Sequence, residues 1–408
     1  MPYIFSSEQS NNESTNPMKT MKLLLPVLLL LIASCAPVDE QDAMLKATVQ
    51  SLKEQYAPDR RVAVFDITWE RYGNALVMKG EVDNPKAKED LLAALKTAGS
   101  EELLDSIKIL PDPELGVNLY GIVTISVANV RSSPGQPEEL STQVMMGMVV
   151  KLLKKRGGWY YVQSHDKYLG WLEDDAFHMT TTEGVDAWTA ANKVITTSHF
   201  ALIRQRPDAR ALPVSDAVAG AMMQMKGTRG GWVEVAFPDG RSGFIEQSNV
   251  EDYARWRASR RLTPQNVENV AKMFLGVPYL WGGTSPKGMD CSGFTKTVYR
   301  LNGFELGRDA NQQAEMGEEV AVTEEFDNLS KGDLLFFGRK ASTDRPERIT
   351  HVGIYLANKE FIHAPGGASI RVNSFDPAAP HYREGLRKSF VRARRIIGAA
   401  QVPEVQSH

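Results

Sequence analysis

Residues 279–294 read YLWGGTSPKGMDCSGF, and the end of this stretch decides how the carboxyl-terminal third of the chain folds. Phe294, Val298 and Leu301 recur at helical spacing, so we predict a helix that begins at Cys291. The residues beside Cys291 are polar or glycine, which is a poor environment for a structural cysteine. A thiol at a helix amino terminus feels the positive end of the helix dipole, which lowers its pKa. We therefore expect Cys291 to be a nucleophile with a substantial thiolate fraction at neutral pH.

A cysteine nucleophile needs an imidazole base and a third group that orients the base. Five of the seven histidines lie in predicted repeats, in the tail or in a proline-rich loop, where a surface position is the default. His351 opens an apolar strand, and His363 ends the predicted return strand. A hairpin centred on Ala357 would place the two rings opposite each other, whereas a slip of one residue would put them on opposite faces. We expect His351 to be the base and His363 to orient it through its other ring nitrogen.

The middle of the chain contains an internal repeat with a constant offset, 203 − 130 = 229 − 156 = 73 residues. The matched strings are VRSSP at 130–134 with IRQRP at 203–207, RGGW at 156–159 with RGGW at 229–232, and GWL at 170–172 with GFI at 243–245. They define two copies of one unit at 118–180 and 191–252. Each copy consists of short β-runs divided by Gly, Pro and Asp turns, which predicts a small β-barrel.

Composition limits what the rest of the chain can be. With 42% hydrophobic and 24% charged residues, the 408-residue chain can build several cores and is neither disordered nor fibrous. Residues 42–115 follow the order helix, strand, strand, helix, strand, and predict a small α+β unit. The net charge of −3 gives no reason to expect nucleic-acid binding. Two cysteines exclude a disulfide scaffold, and no Cys-x-x-Cys or His-Glu-x-x-His spacing occurs, so we predict no metal and no cofactor.

The amino terminus has the features of an export signal. Lys19 and Lys22 precede a run of about ten apolar residues, which is too short to cross a membrane as a helix. The run ends in Ile-Ala-Ser-Cys, which resembles the lipobox of bacterial lipoproteins and implies cleavage before Cys35 and lipid attachment to its sulfur. We expect residues 1–35 to be a signal peptide and the mature protein to be anchored in the cell envelope, in a membrane leaflet that the sequence does not specify. Met18 and Met21 are alternative translation starts.

Four strings, taken in order, resemble the NlpC/P60 family of papain-like cysteine peptidases, which cleave bacterial cell-wall peptides. They are YLWGGTSPKGMDCSGF, KGDLLFF, THVGIYL and FIHAPGG. Two SH3-like barrels before such a domain resemble the γ-D-glutamyl-L-diamino acid endopeptidases, which act on released murein peptides. The resemblance implies an α+β fold with a papain-like domain at 262–398, and its catalytic triad transfers to Cys291, His351 and His363.

The resemblance also implies a substrate pocket for murein peptides such as L-Ala-γ-D-Glu-diamino acid. In that subgroup the residue before the nucleophile, here Asp290, binds the free amine of L-Ala. The pocket residues that transfer with it are Ser292, Trp281, Tyr168 and Glu139, and Arg308 and Asp309 correspond to a segment that contacts D-Glu. Ala310 replaces a serine of that segment, so one substrate hydrogen bond is in doubt. Because a buried carboxylate is costly without a cation, we expect Asp290 to require a free amino terminus.

Three other functions remain open from the sequence. The chain could be a D,L-endopeptidase that acts on intact peptidoglycan through an open cleft, and whether Tyr168 and Glu139 cap the site would decide this. It could be an acyltransferase or amidase on the same core, or a wall-binding lipoprotein without catalysis. The sequence does not choose between diaminopimelate and lysine as the residue after D-Glu. We expect a monomer.

Overall fold

The computed structural model describes residues 38–98 and 102–399. The chain divides into two compact units, residues 1–110 and 111–408. The predicted signal peptide and the predicted lipidation site, Cys35, lie outside the described residues. None of the helices in the described ranges is long and apolar enough to cross a membrane.

The first unit is a three-stranded sheet with two helices. Its elements are α1 (Val38–Tyr56), β1 (Phe65–Tyr72), β2 (Ala75–Val82), α2 (Pro85–Ala98) and β3 (Glu102–Ile109). Strand β2 is central, antiparallel to β1 and parallel to β3. Met78 and Val82 on β2 and Leu91 on α2 are fully buried, so the apolar side of the sheet packs against the helices. This is the predicted αββαβ order.

The second unit begins with two β-barrels, each built on a seven-stranded sheet. The first consists of β4 (Tyr120–Val123), β5 (Val127–Arg131), β6 (Leu140–Met145), β7 (Val149–Arg156), β8 (Trp159–Gln163), β9 (Leu169–Glu173) and β10 (Phe177–Thr180). After helix α3 (Thr182–Ala190), the second consists of β11 (Lys193–Thr196), β12 (Phe200–Arg204), β13 (Pro213–Val218), β14 (Met222–Arg229), β15 (Trp232–Ala236), β16 (Ser242–Glu246) and β17 (Val250–Asp252). Strands of the two barrels begin 73 residues apart throughout, as in 193 − 120 and 250 − 177, and the strand order is the same. The sequence repeat is therefore a structural repeat.

The remaining elements form an α+β domain around a six-stranded sheet of order β20-β25-β21-β22-β23-β24. Its helices are α4 (Tyr253–Ser259), α5 (Pro264–Met273), α6 (Cys291–Arg300), α7 (Ala310–Gln313) and α8 (Glu384–Ser389). Its strands are β18 (Thr284–Ser285), β19 (Gly288–Met289), β20 (Glu318–Val320), β21 (Leu334–Arg339), β22 (Arg348–Ala357), β23 (Glu360–His363), β24 (Arg371–Ser374) and β25 (Phe390–Arg395). Helix α6 packs against β22, with Phe294, Val298 and Ile354 fully buried in the shared core. The predicted fold class, a papain-like domain preceded by two barrels and a small α+β unit, is confirmed.

The β22–β23 hairpin differs in register from the expectation. His363 pairs with Gly353, not with His351, because the chain turns at Asn358 and Lys359, whose φ angles are 51° and 66°, and because the register shifts at a bulge between Tyr355 and Ala357. Two left-handed residues in succession form the two-residue turn that matches strand twist. The slip is two residues along the strand, so both histidines stay on one face as diagonal neighbours. A side chain at Gly353 would crowd the space between them, since its Cβ would lie 3.1 Å from the Cβ of His363.

Candidate active site

Cys291 is the first residue of helix α6, as predicted, and the residue is 8% exposed. The backbone N–H groups of Val352 and Ser292 act to lower the pKa of the thiol. Burial, and after it the negative charge of Asp290, nevertheless raises the pKa of the Cys291 thiol to about 12. The predicted lowering of this pKa is therefore wrong, because the cost of desolvating the thiolate exceeds what the helix terminus can offset. In the free protein the thiol is protonated.

The two histidines form a relay with a third side chain. His351 Nε2 lies 2.7 Å from His363 Nδ1, and His363 Nε2 lies 2.9 Å from Asn373 Oδ1. The orientation of the Asn373 amide, with its oxygen toward His363, is fixed because its Nδ2 donates to the backbone oxygen of His381 at 2.5 Å. Asn373 and His363 are each 1% exposed, so these bonds are sheltered from water. His381, predicted as a surface residue, is half-buried and serves the relay through its carbonyl.

The relay determines which ring nitrogen of each histidine carries a proton. The Asn373 oxygen only accepts, so His363 Nε2 must be protonated. In a neutral ring the other nitrogen of His363 then accepts, and His351 Nε2 must donate to it. His351 Nδ1 is left with the lone pair that a general base requires. Burial lowers the pKa of His351 to about 3 and that of His363 to about 4, so both rings are neutral at neutral pH.

Asp290 is not the unpaired carboxylate that the sequence analysis expects. It caps α6 by accepting from the Gly293 N–H at 2.6 Å, and it accepts from the Gly282 N–H at 2.9 Å. Arg308, whose side chain is 1% exposed, donates to both carboxylate oxygens of Asp290, at 2.7 and 3.2 Å. Ser292 Oγ donates to one of these oxygens at 3.2 Å. Five hydrogen bonds saturate a carboxylate, which offers about four lone-pair positions. Arg308 holds Asp290 in place and is too buried to meet a substrate from solution.

The predicted pocket residues of the first barrel do reach the catalytic domain. Tyr168, 8% exposed, donates its hydroxyl to Asp309 at 2.9 Å. The indole N–H of Trp281, 62% exposed, donates to Glu139 at 2.6 Å. Trp281 lies in the loop that leads to Cys291, so barrel side chains bond to the segment that precedes the nucleophile.

A polar seam fixes the barrel against this loop. Gln143 on β6 accepts from the Thr284 N–H at 3.0 Å and from the Ser285 hydroxyl at 2.9 Å, and its backbone oxygen accepts from the Thr284 hydroxyl at 3.1 Å. Gly282 has φ 77°, and a Cβ there would lie 2.1 Å from the backbone oxygen of Leu140. The loop can therefore approach the barrel only with glycine at this position.

A buried ionic cluster joins α6 to the same barrel. Lys296, 4% exposed, forms ion pairs with Asp166 of the barrel at 3.0 Å and with Glu305. His165 Nε2 lies 3.5 Å from Glu305. Despite burial, the charge of Lys296 holds the pKa of Asp166 far below its usual range and lowers that of Glu305 to about 2. Both carboxylates are therefore ionised at neutral pH.

Sequence reasoning missed two residues of the site. Tyr279 is half-buried, and burial together with the charges of Cys291 and Asp290 raises its pKa to about 12, so it presents a hydroxyl donor close to the nucleophile. Tyr279 lies inside the quoted 279–294 string and could have been singled out as its first polar residue. Asn373 gave no signal, because ten residues separate it from its partner His363.

Comparison with known proteins agrees with this architecture. Residues 276–395 match the model of the NlpC/P60 family, and residues 130–177 match that of the bacterial dipeptidyl-peptidase SH3 domain. The chain is 28% identical over 282 residues to dipeptidyl-peptidase 6 of Lysinibacillus sphaericus, covering 66% of this chain and 96% of that protein. It is 28% identical to the gamma-D-glutamyl-L-lysine dipeptidyl-peptidase of Bacillus cereus, covering 64% and 76% respectively.

A solved structure shares the fold over the same region. The crystal structure of an NlpC/P60 family protein from Bacillus cereus matches with a TM-score of 0.59 and 22% identity, covering 68% of this chain and 99% of that one. The chain thus contains an NlpC/P60 cysteine peptidase domain preceded by a dipeptidyl-peptidase-type SH3 domain. The predicted resemblance and the prediction of an enzyme are confirmed.

Proposed function

We propose that this protein is a cysteine peptidase that hydrolyses the bond between the γ-carboxyl of D-Glu and the following diamino acid in murein peptides with a free amino-terminal L-Ala. The observation that carries the proposal is the cap made by the first barrel, where Tyr168 bonds Asp309 and Glu139 bonds Trp281. A capped groove suits a short peptide end better than a continuous glycan-linked chain. The relatives named dipeptidyl-peptidase 6 and gamma-D-glutamyl-L-lysine dipeptidyl-peptidase support it.

The residues around the thiol suit acyl-enzyme chemistry. Cys291 attacks the γ-carbonyl carbon while His351 Nδ1 takes the thiol proton, and the same imidazole then delivers that proton to the departing amine. Since thiol and imidazole are both neutral in the free protein, the ion pair forms only as the substrate is attacked. Water activated by His351 next hydrolyses the thioester, releasing the dipeptide and restoring the thiol.

The oxyanion needs donors that already point at it. We assign the Cys291 backbone N–H and the Tyr279 hydroxyl to this role, since the phenol stays protonated up to high pH. One such donor lowers the activation free energy by about 3 kcal/mol, which raises the rate by a factor of more than 10².

We assign recognition of the free amine of L-Ala to the cap formed by the first barrel. Asp290 is saturated by Arg308 and backbone N–H groups, whereas Glu139 is an exposed carboxylate at the mouth of the groove. An ammonium of L-Ala can pair with Glu139 once it displaces the Trp281 N–H. An acylated L-Ala, as in the intact wall, has no charge to offer and brings a bulky group against the barrel.

Equal amounts of enzyme incubated with free L-Ala-γ-D-Glu-diamino acid tripeptide and with intact sacculi test the proposal. We expect dipeptide release from the tripeptide only, and a Glu139→Gln variant with raised KM and little change in kcat. Comparable rates on both substrates would instead support an endopeptidase of the intact wall. Release of an acyl-transfer product, identified by mass, would support the acyltransferase alternative.

We further propose that the mature protein is a monomeric lipoprotein of the bacterial envelope, attached through lipid on Cys35. The support is the sequence alone, with two lysines, a short apolar run and small residues directly before Cys35. Metabolic labelling with a fatty acid should label the full chain but not a Cys35→Ser variant. Equal labelling of both would contradict the anchor.

A further inference from the structure

Arg371 lies beside the catalytic relay without a role in it. It is the first residue of β24 and pairs directly with His363 across the β23–β24 ladder. Directly opposite residues of antiparallel strands project from the same face, so the guanidinium and the His363 imidazole share a face of the sheet. Arg371 also acts on the imidazole electrostatically, because its positive charge lowers the pKa of His363 after the larger effect of burial.

The guanidinium is available to a ligand. Arg371 is exposed, and within residues 38–98 and 102–399 no carboxylate pairs with it and no acceptor binds it. The three arginines of strand β25 in the same sheet behave differently, since Arg392, Arg394 and Arg395 each pair with a carboxylate. An unpaired arginine at the edge of a reaction site is a receptor for a planar anion such as a carboxylate.

The position of Arg371 defines which part of the substrate it can meet. The barrel cap, with Glu139 and Tyr168, holds the amino-terminal side of the scissile bond. Arg371 is two strands away from the base His351, a separation of about 10 Å across the sheet. The leaving amine meets the base, so a group that reaches Arg371 must lie several carbon–carbon bonds beyond that amine.

We propose that Arg371 binds the distal carboxylate of meso-diaminopimelate in the leaving group, and that the enzyme therefore prefers diaminopimelate to lysine after D-Glu. This inference rests on the proposed function and names its substrate class. Lysine and diaminopimelate have side chains of the same length and both end in an amine, but only diaminopimelate carries a carboxylate there. With lysine the side chain brings a lone ammonium toward the guanidinium, and like charges repel.

The test measures kcat/KM for L-Ala-γ-D-Glu followed by meso-diaminopimelate, by diaminopimelate amidated at the distal carboxyl, or by L-Lys. The parent enzyme, Arg371→Gln and Arg206→Gln are compared, the last removing an exposed arginine of the second barrel. We expect the parent to prefer the diaminopimelate peptide by about tenfold, the size of one charged hydrogen bond. Arg371→Gln should lose that preference by slowing on this peptide alone, and Arg206→Gln should keep it.

The three substrates separate the possible failures. An equal effect of Arg371→Gln on all three peptides would overturn the inference, because it would mean that the arginine acts on His363 or on a carboxylate common to them. A parent enzyme that cleaves lysine and diaminopimelate peptides equally would also overturn it. If none of the peptides is cleaved, the proposed function itself fails, and this result is distinct from a lost preference.

Discussion

Removing the acceptor at the end of the histidine relay should disable the base at its other end. In Asn373→Ala, the His363 Nε2–H loses its partner inside a site that is 1% exposed. Leaving a buried donor unsatisfied costs about 1–3 kcal/mol. The ring can avoid this cost by moving its proton to Nδ1, but then His351 must turn its own bare nitrogen toward His363 and face the thiol with an N–H. Either outcome lowers kcat/KM, by about 10- to 100-fold.

Two comparisons bear on the size of this loss of activity. An enzyme whose catalytic imidazole is fixed in the wrong tautomer loses a factor of about 10⁴ in kcat. If Asn373→Ala approaches this factor, the relay is more rigid than its single hydrogen bond to Asn373 suggests. Asn373→Asp keeps an oxygen acceptor at the same place and should retain most activity. Its added negative charge should raise the pKa of His363 and move the acid limb of the pH profile upward.

Initial rates on the tripeptide across pH 4 to 9, about the range in which histidine environments titrate, measure the effect. Thermal denaturation of each variant separates lost activity from lost fold, and Asn269→Ala, which changes an exposed asparagine on α5, is the matched control. If Asn373→Ala stays within twofold of the parent while Asn373→Asp shows no change of pH profile, the assignment of ring protons is wrong.

The contacts around the thiol lead to three further predictions. In a Cys35→Ser background, iodoacetamide at pH 7 should alkylate Cys291, whose pKa is about 12, roughly a thousandfold more slowly than a free cysteine of pKa about 8.5. A rate equal to that of free cysteine would show that Cys291 already forms an ion pair with His351. Gly282→Ala should lower both the melting temperature and the rate of tripeptide hydrolysis, because the new Cβ would lie 2.1 Å from the Leu140 oxygen. A folded variant with full activity would show that the close approach of this loop to the barrel is not required. Because the pKa of Glu305 is lowered, its ionised form stabilises the fold above the unfolded pKa near 4.5, and this stabilisation is lost as pH falls toward 2. The melting temperature of the parent should therefore fall steeply in acid. In Lys296→Met the buried carboxylates lose their cation, so acidification should raise the melting temperature instead, and calorimetry can detect this reversed pH dependence.

The parts of the fold that short-range patterns govern could be predicted. The 73-residue offset located both barrels, because matching turn and core residues must recur wherever the same strands recur. The start of α6 at Cys291 followed from the helical spacing of Phe294, Val298 and Leu301. The hairpin register was two residues off, because the turn at Asn358 and Lys359 contains no glycine and the bulge between Tyr355 and Ala357 leaves no signal in the sequence.

The site was harder, because its chemistry depends on burial and on partners distant in sequence. Helix position alone argued for a reactive thiolate at Cys291, but the sequence cannot report how much solvent the sulfur loses. It likewise gave Asp290 a substrate cation as partner, whereas Arg308, eighteen residues later, already supplies that charge. Both errors come from treating a residue by its neighbours in the chain when its energetics are set by neighbours in space.

Helix α6 explains why the first barrel belongs to the active site and is not merely attached to it. The helix places Cys291 in its first turn, and from its second turn Lys296 forms a buried ion pair with Asp166 of the barrel. Without the barrel, Lys296 would lose one of its two carboxylate partners, and the loop before Cys291 would lose its bonds to Gln143. Breaking one partner of a buried pair costs about 3–5 kcal/mol, which is a large part of a domain's stability. The barrel that we propose to cap the substrate therefore also holds the nucleophile helix in place, so specificity and reactivity should be lost together when that contact is broken.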